Sequence, residues 1–162
     1  DRYFKKEYMK AGWLRWKPVR RDVRQLIQTY NIKAPDPDHY VGALSGGHIQ
    51  RTILARELSC QLKVLLACEV TMGLDVASAR YIHDVLLTLR EQGRGVLLVS
   101  SNMSEILSLA DRILVVHMGE LTACLDNTGT LSREEIGEYM LGLKYQEGYG
   151  PKFAPGTEAA HA

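Results

Sequence analysis

Leu44-Ser45-Gly46-Gly47-His48-Ile49-Gln50-Arg51 is the stretch whose reading decides the fold. Two adjacent glycines open a segment of helical spacing, and a serine stands directly before them. A hydroxyl, free backbone N–H groups and the positive end of a helix dipole then converge on one point. That is a receptor for an anion, with phosphate the obvious one. A β-carbon at the glycines would hold such an anion off the backbone. Ser-Gly-Gly alone is only a turn signal, and a plain helix N-cap is the competing reading. The residues that follow give it meaning.

Ile49, Ile53 and Leu58 predict one apolar face on a helix over residues 46–59. Lys63-Val64-Leu65-Leu66-Ala67 reads as a buried strand that delivers Cys68 and Glu69 at its end. Thr71 to Asp75 turn the chain into a second helix over about residues 77–92. Residues 95–100 form a second strand ending in Ser100-Ser101-Asn102. This is α/β alternation, in which ligands gather beyond the carboxyl ends of strands, where Glu69 and Ser101 fall.

These motifs, in this order, resemble the ATPase domains of ABC transporters. Leu44 to Gly47 with Gln50-Arg51 and Ala55-Arg56-Glu57-Leu58 is similar to their signature region. Residues 64–75 resemble the Walker B segment and D-loop, and Ser101 falls at the switch histidine. Leu109 to Ile113 and Gly119-Glu120-Leu121 match the end of the same domain, so the resemblance covers residues 1–142. Gly73-Leu74-Asp75-Val76 and Leu66-Ala67-Cys68-Glu69 look like the second ATPase domain of tandem sugar and nucleoside importers, the nucleoside branch above all. The implied fold is α/β, a partial P-loop NTPase domain with a mostly parallel sheet and part of the helical signature subdomain. Its expected divisions are 1–60 for that subdomain, 61–143 for the α/β core and 144–162 for a flexible tail.

No Gly-x-x-x-x-Gly-Lys-Ser/Thr phosphate loop occurs in the chain. The resemblance therefore implies a partial domain that lacks the P-loop and glutamine loop and is inactive alone. ATP and Mg2+ would be held mainly by residues outside it. Domains of this family pair head to tail, so Leu44, Ser45, Gly46, Gly47 and Gln50 would close a partner's ATP site, with Gln50 and Arg51 bracing the loop or lying on a solvated face. His48 is read as a loop-shaping residue. Asp75 would lie in the D-loop, and it also suits an N-cap.

Glu69 stands where the family carries the glutamate that polarises the attacking water. Cys68 replaces the aspartate of the Mg2+ shell, and a thiol is a poor match for a hard cation. Ser101 lacks the imidazole that meets the γ-phosphate. The expectation is a degraded site, with Glu69 a largely structural carboxylate, paired with an intact receptor that serves another site. Bulk at Gly47 should then abolish most turnover, and Glu69→Gln should do little. The implied partners are a second ATP-binding domain, transmembrane permease subunits and, indirectly, a substrate-binding lipoprotein, at the cytoplasmic face of the membrane. A non-transport ABC ATPase acting on nucleic acid or ribosomes is the alternative, as is a non-enzymatic remnant. The chain has no heptad run, which counts against the former.

Composition sets outer bounds. Residues 1–33 hold ten Lys or Arg against three acids, a net of +7, and the remainder carries −6. A basic end suits anionic lipid or nucleic acid, but a solvated helix face is the commoner cause. No RNA-binding or zinc-finger pattern accompanies it, so no nucleic acid partner is expected. Cys60, Cys68 and Cys124 form no Cys-x-x-Cys pair, against a disulfide framework or zinc site. Cys68 is expected to be buried and inert. Trp13, Trp16 and an apolar stripe of Val19, Val23, Leu26, Ile27 and Tyr30 on a helix over residues 18–30 are read as core, an interface being the other possibility. Pro35 and Pro37 make residues 31–43 an extended connector. Asn102 with Glu105 and Ser132 with Glu135 read as capping boxes, and residues 113–125 as a hairpin around Met118-Gly119-Glu120.

Overall fold

The computed structural model describes residues 7–10, 12–60 and 62–150. They form two compact units that divide after Val99, rather than near residue 60.

The first unit begins with a short antiparallel pair, β1 (Met9–Lys10) and β2 (Trp13–Leu14). Helix α1 (Trp16–Thr29) follows, with Pro18 in its first turn, where a missing N–H costs nothing. Tyr8 is buried and its hydroxyl donates to Asp22 on α1. Trp13 and Trp16 are not core: they are 81% and 60% exposed. No residue of α1 is buried either. Its stripe of Val19, Val23, Leu26 and Ile27 instead lines a cavity of about 680 Å³ that reaches Ile32 and Ala55. The stripe has the right period, but one neighbouring helix covers it only in part.

Helix α2 (Gly46–Leu58) buries Gly47, Leu54 and Ala55. The face predicted from Ile49, Ile53 and Leu58 is therefore rotated, and Ile53 is 39% exposed. The small residues Gly47 and Ala55 face inward because α2 packs closely on α1 and α3. Strand β3 (Val64–Cys68) pairs in parallel with β4 (Gly95–Val99), from Val64 opposite Gly95 to Cys68 opposite Val99. Helix α3 (Val76–Glu91) is the crossover and buries Ile82, Leu86 and Leu89. It ends in a Schellman motif: Gly93, at φ +75°, donates to Arg90 and Arg94 donates to Leu89.

One face of this sheet, with Leu65 and Ala67, is buried; the other is open. Val64, Leu66, Leu97 and Val99 on the open face are 46–65% exposed. Parallel strands in folded domains normally have both faces covered.

In the second unit, α4 (Met103–Leu109) precedes an antiparallel hairpin of β5 (Arg112–His117) and β6 (Glu120–Asp126). Met118 and Gly119 both have positive φ, as a two-residue primed hairpin turn requires. Helix α5 (Arg133–Met140) starts with Ser132 accepting from the Glu135 amide. The core is Ile113, Val115, Ala123, Leu125, Ile136 and Tyr139, with Met103, Ile106 and Leu107 against it. Asn127 Nδ2 donates to the carbonyls of Leu107 and Ala110, which fastens the end of α4.

Residues 144–150 are not a free tail. The Gln146 amide donates to Thr122 O, Gly150 to Leu121 O, and the Gln146 side-chain carbonyl accepts from the Cys124 amide. They satisfy the outer edge of β6, which composition could not reveal. Residues 151–162 of the expected tail lie outside the described residues. Among the described residues, no helix is long and apolar enough to cross a membrane.

Candidate functional site

The start of α2 is built from Ser45, Gly46 and Gly47. Ser45 is extended (φ −67°, ψ 157°) and occupies the N-cap, yet its hydroxyl caps nothing. The first helical bonds instead run from the amides of His48 and Ile49 to Ser45 O, both at 2.9 Å. Among the described residues, the amides of Gly46 and Gly47 donate to no acceptor. Ser45 and Gly46 are exposed, Leu44 and Gln50 are half-buried, and Gly47 is buried. Two N–H groups and one hydroxyl therefore stand unspent at the positive end of a helix.

Charges of both signs border the turn, Lys33 and Arg51 near His48 and Asp75 at the corner before α3. His48 Nδ1 accepts from the Lys33 amide at 3.3 Å, so the ring proton sits on Nε2. Burial, then the charges of Arg51 and Lys33, hold His48 below the usual imidazole pKa, against a smaller opposing pull from Asp75. Arg51 stacks on the Tyr81 ring at 3.8 Å and donates to Asn31 O at 3.2 Å. It braces α2 against α3 and the connector, rather than lying on a solvated face.

Asp75 caps α3. Its Oδ1 accepts from the Ser78 amide at 2.9 Å and its Oδ2 from the Ser78 hydroxyl at 2.7 Å. These donors hold its carboxyl below the usual carboxylate range. Leu74 and Ser78 also approach the glycine turn, so the corner before α3 and the start of α2 are neighbours. Sequence reasoning did not single out Ser78. The spacing Asp75-x-x-Ser78 announces a cap, but not that its hydroxyl abuts another helix.

The end of β3 is different. Glu69 lies at φ +46°, left-handed backbone that a non-glycine residue adopts at a cost. Its amide donates to Val99 O at 2.8 Å and its carbonyl accepts from Met72 at 3.2 Å. Such strain, over-determined by neighbours, is typical of functional positions. Cys68 is exposed, not buried as expected, because β3 alternates and Cys68 shares the open face with Val64 and Leu66. A thiol does not suit Mg2+, and no group of three or more His, Cys, Asp or Glu among the described residues could hold a metal ion. The residues present at the strand end thus do not fit that cation.

Ser101 is exposed at the start of the second unit, beyond β4. There the capping box forms differently from its prediction. Asn102 accepts from the amides of Ser104 and Glu105, while Ser100 Oγ accepts from the Asn102 amide and donates to the buried Glu105 carboxylate.

No protein-family model matches the chain. It is 35% identical over 145 residues to the guanosine import ATP-binding protein NupO of Bacillus subtilis, covering 90% of the chain and 28% of that protein. It is 38% identical over 142 residues to a ribose/galactose/methyl galactoside import ATP-binding protein of Halalkalibacterium halodurans, covering 88% and 26%. Against the nucleoside import ATP-binding protein NupA of Lactococcus lactis the identity is 32%, over 90% of the chain. The chain thus spans about a quarter of the length of the curated relatives it matches. Among solved structures, the dimeric ATP-binding cassette MJ0796 bound to ADP and Pi superposes with a TM-score of 0.61 at 24% identity, over 74% of this chain and 52% of that one. The same cassette, a bacterial ABC transporter component, gives the same score in a second structure. The homologues are ATP-binding proteins of sugar and nucleoside import, and the fold is part of an ABC ATPase cassette.

Proposed function

We propose that this chain is part of the ATP-binding subunit of an importer for nucleosides or sugars, and that it lends the Ser45–Gly47 turn to an ATP site completed by a second ATP-binding domain. The observation that carries this reading is the exposed Ser45 hydroxyl beside two glycine amides without acceptors. Oriented dipoles at such a turn need no reorganisation as charge grows on a transferring phosphoryl group. Leu44 and Gln50 flank the turn and shape it, and Asp75 stands at the adjoining corner.

The chain's own strand end takes a lesser part. Cys68 cannot serve a hard cation, and Ser101 offers no imidazole. Glu69 is then a strained, largely structural carboxylate, and the paired sites are unequal. ATP is held mainly by residues outside this chain, which by itself turns over none. The subunit works with permease subunits at the cytoplasmic face of the membrane, and with a substrate-binding lipoprotein through them.

A chimera tests the proposal. The chain replaces the matching segment of the guanosine import ATP-binding protein, and ATP turnover is measured in membranes with its permease. The expected result is retained turnover that disappears with Ser45→Ala/Gly46→Val. Turnover indifferent to that pair of changes would sink it.

A second reading, a non-enzymatic remnant, is favoured by one observation: the open apolar face of β3–β4. A chain that melts without a cooperative transition, or aggregates on purification, would support it.

A further inference from the structure

We propose that Ser78 is a positioning residue for the Ser45–Gly47 turn, and that the two glycines of the turn are needed for different reasons. The inference deepens the anion-receptor reading above and rests on it.

A β-carbon on Gly47 would lie 2.2 Å from Ser78 Oγ, 2.8 Å from Ser78 Cβ and 3.8 Å from Asp75 Oδ2. The same atom on Gly46 meets only Leu74 Cδ2, at 3.7 Å. Gly47 thus faces the first turn of α3 with no room for a side chain, while a β-carbon at Gly46 would make only an ordinary van der Waals contact with Leu74. The Ser78 hydroxyl cannot swing aside cheaply, because it donates to Asp75 Oδ2 while its amide donates to Oδ1. The Asp75 cap fixes Ser78, and Ser78 fixes how closely α2 approaches. A side chain at residue 47 would lever the start of α2 away from α3 and turn the Gly46 and Gly47 amides with it. Gly47 is therefore demanded from inside the chain, and Gly46 by whatever approaches from outside.

The test uses the 162-residue chain, with inorganic phosphate as the probe and chloride at equal ionic strength as the control. Gly47→Ala should lower Tm by roughly 5 °C or more, as overpacking against a fixed neighbour does. Adding Ser78→Gly should recover most of that loss, and Gly46→Ala should stay within about 2 °C of the parent. The second readout is the phosphate-dependent 1H–15N shift of the Gly46 and Gly47 amides. Ser78→Ala should reduce that response several-fold with little change in Tm, which a merely structural role would not do.

Additive Tm changes, or a Ser78→Ala chain with an unaltered phosphate response, overturn the positioning role alone. Wild-type amides that respond to phosphate no more than to chloride overturn the receptor reading, and the positioning role with it. Should Gly47→Ala fail to fold, a folded Gly47→Ala/Ser78→Gly chain supports the contact, and an unfolded one overturns it.

Discussion

The start of α2 and the end of β3 lie in one compact unit but are built in opposite ways. At the start of α2 the backbone is relaxed and its donors are unspent: Ser45 caps nothing, and two amides lack acceptors. At the end of β3 the backbone is strained, and the position beside Glu69 holds a thiol. A helix start whose first amides and N-cap hydroxyl are uncommitted is open to an acceptor from outside, water or an anion. On the proposed reading, Glu69 beside this thiol is a structural carboxylate rather than a catalytic one. The difference teaches that, if the proposed reading holds, two halves of one ATP-site apparatus are kept to unequal standards within a single chain because they serve different sites.

The sharpest way to break this comparison is to damage both ends in the chimera. On the proposed reading, Gly46→Val costs about 10²–10³-fold in turnover, the scale of losing an oriented donor. Glu69→Gln should change turnover by less than about twofold, since an interaction absent from the transition state leaves kcat/KM alone. Steady-state ATPase assays decide it, and equal losses would end the asymmetry. Gly46 is a cleaner probe than Gly47, whose substitution also collides with Ser78.

Much of this was legible in the residues. The α/β alternation, the β3–α3–β4 crossover and the Met118-Gly119 hairpin follow from period and turn chemistry. So do the Asn102 and Ser132 caps. The readings that failed share a physical cause: periodicity reports a residue's phase, not its neighbours. Ile53 has the phase of a core residue, but α2 buries Gly47 and Ala55 because its neighbours come close. Trp13, Trp16 and the α1 stripe have the composition of a core and little to pack against. Residues 144–150 look like linker, yet they close the edge of β6 through backbone groups that composition does not encode. Within the candidate site, the glycine turn and Asp75 were visible as motifs. Ser78 was not, because its role is a contact between helices about thirty residues apart.

Cys68 sharpens the comparison at its other end. If the open face of β3 is what sets its exposure, its thiol should label with a disulfide reagent at a rate near that of exposed Cys60. It should exceed half-buried Cys124 by about tenfold, since access to the reagent governs the labelling rate. Mass-spectrometric timing of each site gives the ratio. A protected Cys68 would mean that the face is covered in solution.

Backbone strain offers a smaller effect. Left-handed backbone costs an L-residue roughly 1–2 kcal/mol, and glycine gives back about 0.5–1 of that through its greater unfolded freedom. Glu69→Gly should therefore raise stability slightly, by about 0.5 kcal/mol in denaturant melts. A loss larger than about 1 kcal/mol would show that the Glu69 side chain holds the corner together and that the carboxylate is not idle.

The smallest effect belongs to His48, beside the intact turn. Its folded pKa is depressed by burial and by the Arg51 and Lys33 charges, so the fold prefers the neutral ring. Above the ordinary imidazole pKa of about 6.5, folded and unfolded chains are both neutral there and the ring adds no pH dependence. As pH falls through that value the unfolded chain takes up the proton first, and stability drops until the folded pKa is passed. His48→Gln keeps an acceptor for the Lys33 amide and removes the titration. Melting between pH 8 and pH 5 should therefore show a shallower acid loss in the variant, with Asp75 contributing only below the usual carboxylate range in both chains. Parallel curves would place His48 outside the electrostatics of the turn and leave its shape to backbone packing alone.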